Sequence, residues 1–245
     1  MNRESLIILG VKSFDAMHEE CHGYLLADGE RTTLIECHPN SLRALARRGI
    51  PCHSIDAVYI SHWHWDHWGG LVGFLEAIAF EEYYGIGVPE SPIAIYLPDL
   101  AGIEYQILLK SFGYLAGPRV NFFLNSKFGE LLTNHNPPAN VACFETKSGK
   151  RVVYIPDNFG ASEDLARFAA GCDILILVSG GAQSRYEEMR SYMFNATENT
   201  LFYVEKSKPR RVVLAHLFFQ EDYKEYIDRL NGIDVYFEAG QEILI

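Results

Sequence analysis

Three histidines and an aspartate stand within six residues in Ser61-His62-Trp63-His64-Trp65-Asp66-His67-Trp68-Gly69-Gly70. Imidazole nitrogens and carboxylate oxygens are donors suited to Zn2+, Mn2+ and Fe. His62 and His64 are two apart, so both can turn to one side and grip one ion. Asp66 and His67 are adjacent, and a turn or helix start can aim them at a neighbouring ion. The spacing therefore fits two metals. The tryptophans in between, Trp63, Trp65 and Trp68, would exclude water from the back of such a site or line its mouth.

The elements that must position this cluster follow from the apolar runs. Ile55 to Ile60 reads as a buried strand with the cluster at its C-terminal end, and Leu71 to Tyr84 as a helix behind it. Three other polar residues also close apolar runs. His135 follows Glu130 to Asn134 and precedes the rigid turn Asn136-Pro137-Pro138, Asp157 ends Val152 to Pro156, and His216 ends Val212 to Ala215. A lone histidine after a strand is weak evidence. Alongside the first cluster, the three together read as the remaining ligands.

Around them, Leu6 to Val11, Gly23 to Ala27 and Thr32 to Glu36 read as strands, with Asp28-Gly29 turning a hairpin. A short helix runs to about Arg48, capped by Asn40 or Ser41 and stopped at Gly49. Ile93 to Leu97 is an expected strand and Ile103 to Leu115 an expected helix. The aromatics Tyr105, Phe112, Tyr114, Phe122, Phe123 and Phe128 read as core or interface packing, with a pocket wall as the alternative. Later, Ala142 to Thr146 and Arg151 to Ile155 pair around Ser148-Gly149-Lys150. Helices over Glu163–Ala170, Thr197–Lys206 and Gln220–Leu230 alternate with strands Ile174–Val178, Arg211–Ala215, Asp234–Phe237 and Glu242–Ile245. Alternation broken by hairpins argues for sheets covered by helices in layers, and no Gly-rich nucleotide loop is present.

The chain of 245 residues carries a formal net charge of −11, which disfavours a long nucleic acid and favours a small-molecule substrate. Hydropathy gives neither a membrane span nor a signal peptide. The dispersed cysteines Cys21, Cys37, Cys52, Cys143 and Cys172 form no CxxC pair and read as reduced, mostly buried side chains of a cytoplasmic protein, a metal role for Cys37 being the minor alternative.

Taken in order, His62-Trp63-His64-Trp65-Asp66-His67, His135, Asp157 and His216 resemble the HxHxDH signature and later ligands of the metallo-beta-lactamase superfamily. The resemblance covers nearly the whole chain. It implies an α/β fold, a four-layer αββα sandwich, with a dinuclear site at one sheet edge. It implies a single domain over 1–245 built of two facing half-domains, roughly 1–125 and 126–245. By the same resemblance His62, His64 and His135 hold one ion, Asp66, His67 and His216 hold the other, and Asp157 lies between them. A histidine at position 64 resembles the hydrolases more than the diiron oxygen-reducing branch. Ser61, Gly69-Gly70, Arg211 to His216 and Phe237 to Ile243 are similar to the small phosphodiesterase and transfer-RNA 3'-processing branch. The chain departs from that branch at Glu36-Cys37-His38, where Asp-Cys-Gly is usual. It departs again at Asn195-Ala196-Thr197, where the processing enzymes carry His-x-Thr, and their assisting glutamate has no counterpart near Val178-Ser179-Gly180. It also lacks a long basic, glycine-rich arm.

These readings imply a dinuclear metal-dependent hydrolase with two divalent ions, Zn2+ first and Mn2+ or Fe as the others such donors hold. The expected substrate is a phosphodiester attacked by a hydroxide shared between the ions, with Asp66 orienting the nucleophile as well as binding metal. Asn195 in place of a positioned acid would narrow the range to good leaving groups, such as cyclic or activated diesters. Lys110, Arg119 and Lys127 could meet phosphate but read as solvated charges. Hydrolysis of a thioester or lactone is the second reading, and a non-catalytic metal-stabilised scaffold or sensing module the third. Self-association into a homo-oligomer is a weaker expectation from the aromatic content.

Overall fold

A computed structural model describes residues 3–12, 22–191, 193–216, 223–230 and 232–245. Cys21, Gln220 and the side chains of Phe112 and Tyr114 lie outside the described residues.

Strands β1 (Ser5–Gly10), β2 (Gly23–Ala27) and β3 (Thr32–Ile35) form an antiparallel meander. Its second turn forms because the Asp28 carboxylate accepts the backbone N–H groups of Glu30 and Arg31 at 2.9 and 2.7 Å, while Gly29 takes φ 94°. After helix α1 (Ser41–Arg47), β4 (Ala57–Tyr59) joins β3 in parallel. Helices α2 (Trp65–Trp68) and α3 (Leu71–Tyr83) lead to β5 (Ile93–Leu97), and α4 (Ile103–Ala116) leads to β6 (Val120–Leu124), each strand parallel to the one before.

A second sheet opens with the antiparallel pair β7 (Ala142–Glu145) and β8 (Arg151–Ile155). It continues in parallel through α5 (Glu163–Phe168), β9 (Ile174–Val178), α6 (Tyr186–Ser191), α7 (Thr197–Ser207), β10 (Arg211–Ala215), α8 (Tyr223–Arg229) and β11 (Asp234–Tyr236). The last strand, β12 (Glu242–Leu244), returns to the first sheet and pairs with β1. The sheets are thus ordered β12-β1-β2-β3-β4-β5-β6 and β11-β10-β9-β8-β7.

Side-chain alternation explains why both faces of the strands are apolar. In β2, Tyr24 and Leu26 face the second sheet and pack with Tyr154 and Val152. Leu25 faces the other way, with Leu34, Leu45, Phe74 and Ile78 beneath α1 and α3. Leu165, Leu201, Val204 and Tyr226 cover the second sheet from α5, α7 and α8. The result is helix, sheet, sheet, helix: a four-layer αββα sandwich, as the layered reading expects.

Two local expectations need correction, and one strand was not read from the sequence. Asn40 stands at the start of α1 with its backbone near φ −92°, ψ 1° and makes no side-chain cap; the extended backbone that aims a capping oxygen is missing. Val120–Leu124 is an edge strand whose half-exposed aromatic run lacked a clean alternation to announce it. Ile55–Ile60 is strand only over Ala57–Tyr59, although Ile60 N–H still donates to Tyr96 O at 3.0 Å. Among the described residues no helix is long and apolar enough to cross a membrane.

Candidate metal centre

The C-terminal ends of the parallel strands in both sheets open on one edge of the sandwich. His62 follows β4, Asp157 follows β8 and His216 follows β10, so three separate strands deliver their polar caps to one place. His216 ends its strand at φ 58° and Glu36 ends β3 at φ 62°, a left-handed backbone that side chains other than glycine rarely adopt. Each such residue costs of order 1–3 kcal/mol and persists where its surroundings over-determine it.

Two groups form there. In the first, His62 Nε2 lies 3.0 Å and His135 Nε2 3.2 Å from His64 Nδ1, and Asp157 completes the set. The far ring nitrogens are held: His62 Nδ1 pairs with Ser61 Oγ at 2.9 Å, and His135 Nδ1 with the Met193 carbonyl at 3.3 Å. In the second group His216 Nε2 lies 3.1 Å from Asp66 Oδ2, with His67 and His22 around them. Within each group the ligand atoms lie within 4.8 Å of one another.

Asp157 stands between the groups. Its Oδ2 faces His135 Nε2 at 3.5 Å and His62 Nε2 at 3.7 Å, while its Oδ1 faces His67 Nε2 at 3.4 Å and His216 Nε2 at 3.7 Å. One carboxylate oxygen therefore serves each side. All seven residues singled out from the sequence converge on this edge.

Burial and neighbouring charge set the protonation of the two groups differently. Burial holds the imidazoles of His62, His64 and His135 below their usual pKa, so they are neutral donors at pH 7. Burial alone would also lower His67 and His216, but Asp157 raises both, with Glu36 and Asp66 adding to it at His67. Burial would raise Asp66 and Asp157. The histidines outweigh it and hold both carboxyls below the usual range.

Converging neutral imidazole nitrogens repel through their lone pairs unless a proton or a cation sits between them. His67 Nε2 and Asp157 Oδ1 are buried without a hydrogen-bond partner. Both observations fit a pair of divalent ions at this edge.

Several neighbours were not singled out from the sequence as site residues. Glu36, fully buried, sets Oε1 3.3 Å from His67 Nδ1 and accepts the Ser61 N–H at 3.2 Å. His22 packs its ring 4.2 Å from that of His67. Phe194 stacks on His216 at 4.9 Å. Gly70 lets the cluster helix approach β3: a Cβ there would meet His38 O at 2.2 Å.

Other sequence candidates lie apart from the ligands. Cys37 is a buried thiol in neither group, and its N–H donates to His67 O at 2.8 Å. Trp63 and Trp68 pack with the outer helix layer, and Trp65 is exposed. Phe122 packs on Tyr105 and Phe128 on Tyr59, in the cores. Phe123 lines a cavity of about 820 Å³ with Tyr96 and Lys127, and no metal-group residue borders it. Arg119 pairs with Glu82, Lys127 donates to Tyr96 Oη at 3.0 Å, and Lys110 is exposed.

Known proteins share parts of this sequence and its fold. A family described as "Anti-Pycsar protein Apyc1" matches residues 5–108. The Apyc1 protein of Paenibacillus sp. (strain J14) is 36% identical over 118 residues, 48% of this chain and 45% of that protein. The match thus spans under half of that relative's length. The probable metallo-hydrolase YhfI of Bacillus subtilis (strain 168) is 27% identical over 172 residues, 66% of each chain. The crystal structure of that YhfI, a metallo-beta-lactamase fold protein, superposes with a TM-score of 0.82 at 19% identity, covering 98% of this chain and 99% of that one. Human tRNase Z, short form, superposes with a TM-score of 0.77 at 16% identity, covering 98% and 99%.

Proposed function

The chain has the metallo-beta-lactamase fold, and from that premise we propose that it is a dinuclear metal-dependent hydrolase of small phosphodiesters. The observation that carries this is Asp157, with one carboxylate oxygen turned to each of two histidine groups. His62, His64 and His135 would hold one ion, Asp66, His67 and His216 the other, and Asp157 both. Zn2+ suits this imidazole-rich set best, ahead of Mn2+ or Fe.

Two ions so held supply a nucleophile from water near neutral pH and offset charge on the phosphoryl oxygens. The chain's own residues do the rest. Asp66, only 15% exposed and drawn to His216, orients the attacking water from the second group. Ser61 and the Met193 carbonyl fix the ring orientation of His62 and His135. Asn195 is fully buried and its Oδ1 accepts the Gly160 N–H at 2.9 Å, so it is a structural amide and not a proton donor. A diester whose leaving group departs without a positioned acid fits that arrangement. A net charge of −11 argues against a long RNA, although a tRNase Z shares the fold. The thioester or lactone reading has less behind it, because the described aromatics of that set, Tyr105, Phe122, Phe123 and Phe128, pack in the cores or line a separate cavity.

The test is hydrolysis of bis(p-nitrophenyl) phosphate by protein reconstituted with Zn2+ or Mn2+, beside a thioester and a lactone. Metal-dependent diester turnover is expected. Turnover of the acyl substrates alone would replace this reading with the second one.

Glu36 leads to a separate expectation. A carboxylate on the far nitrogen of a ligating histidine fixes its tautomer and raises its basicity. Glu36→Gln should therefore weaken Zn2+ binding about 10–100-fold with the fold retained, read by competition with a chromogenic chelator. Unchanged affinity would show that Glu36 only supports the backbone at Ser61.

A further inference from the structure

His22 is a buried imidazole that the seven-residue ligand set leaves unused. It is 0% exposed at the head of β2, its Nε2 lies 3.2 Å from His67 Nδ1, and its ring lies 4.8 Å from that of His216. One of its ring nitrogens is within 4.8 Å of ligand atoms from Asp66, His67 and His216, and its Nδ1 has no hydrogen-bond partner.

No placement of its proton satisfies this ring as an ordinary hydrogen-bonding residue. A proton on Nδ1 leaves a buried donor without an acceptor. A proton on Nε2 donates to His67 Nδ1, which must then be bare and face the Glu36 carboxylate at 3.3 Å, lone pair against lone pair. It also leaves the His67 proton on Nε2 toward Asp157, on the nitrogen that the two-ion reading gives to a metal. A cationic ring would be buried against two further histidines. A divalent ion resolves the conflict, because it needs a bare nitrogen from His22 and leaves the His67 Nδ1 proton to Glu36.

We propose that His22 is a protein ligand of the ion held by Asp66, His67 and His216, additional to the seven that the sequence pattern marks. This rests on the two-ion reading above. The second group then brings three imidazoles and a carboxylate of its own before Asp157 is counted, as many donors as the first group has with Asp157 included. A site so filled holds its ion more tightly and leaves fewer open positions than the first.

The experiment uses the full chain, stripped of metal and titrated with Zn2+ against a chromogenic chelator, with bound metal counted by elemental analysis. Wild type, His22→Ala and His22→Gln are compared. The glutamine oxygen can still accept a proton from His67 but is a poor zinc ligand, and this variant carries the test if His22→Ala does not fold. Wild type should bind two ions, and each variant should hold one of them at least about 10-fold more weakly. Co2+-loaded wild type and His22→Gln should differ in their visible absorption, as a change of coordination requires. Wild-type affinity and spectrum in His22→Gln would overturn the proposal and leave His22 a hydrogen-bond partner of His67. Fewer than two ions in wild type would instead overturn the two-ion reading itself.

Discussion

Asp157→Asn is expected to lower metal-dependent diester turnover by about 10³-fold or more while the protein still folds. The carboxylate sits 1% exposed between four imidazoles, and it is the group whose two oxygens face different histidine sets. Asparagine keeps the shape but removes the negative charge between two cations and replaces one donor oxygen with an N–H2 that repels a metal. A second ion contributes several kcal/mol to charge stabilisation in such reactions, and each 1.36 kcal/mol is a factor of ten in rate. The fold should tolerate the change, because the backbone there is fixed independently: Thr133 Oγ1 donates to the Asp157 carbonyl at 2.6 Å. Circular dichroism and kcat/KM would be measured on the same preparation. A folded variant within 10-fold of wild type would show that Asp157 does not join the two groups.

Most of this site was legible because its residues close apolar runs. A polar side chain directly after a buried strand must reach the sheet edge, and His62, Asp157 and His216 obey that rule in both sheets. His135 was readable only through the cluster, since its loop has no ladder of its own beyond the single bridge of Leu132 to Asn140. His22 was passed over because it precedes its strand. Yet the signal existed: β2 runs antiparallel to β3 with Tyr24 opposite Ile35, so the residue before β2 lies at the edge where β3 ends. Glu36 was visible as a departure from the usual triplet, but its turn toward His67 depends on a left-handed backbone that no propensity announces. Phe194 could not be found at all, because it stacks on His216 from a loop distant in sequence. The layered architecture was legible from the alternation of elements. The edge strand Val120–Leu124 was not, for its exposure is set by the sheet boundary, not by its own pattern.

Removing the metals is expected to lower the melting temperature at pH 7 by roughly 8–16 °C per ion lost. An ion present at a thousand times its dissociation constant stabilises the fold by about 4.1 kcal/mol, and a domain of this size shifts about 2–4 °C per kcal/mol. The difference should shrink on acidification, because every ligand must be deprotonated to bind. The stripped protein has its own pH dependence. Burial holds His22 and His62 well below the usual histidine pKa and brings His38 to about 4. Below pH ~6.5 the unfolded chain therefore binds protons that these native histidines refuse, and stability falls as the pH drops. Each wholly buried ring can contribute up to about 1.4 kcal/mol per pH unit in that window. His67 and His216 act oppositely: their raised pKa values add stability that is complete below pH ~6.5 and lost as pH rises through the folded pKa. Asp66 and Asp157, both lowered, add stability above pH ~4 that is lost on further acidification. Between pH 6.5 and 4 the depressed histidines dominate, so the stripped protein should weaken steadily there. Urea unfolding of stripped and Zn2+-loaded protein at pH 5, 6, 7 and 8 would read both effects. Identical midpoints for the two forms at every pH would mean that this edge of the sandwich holds no ion.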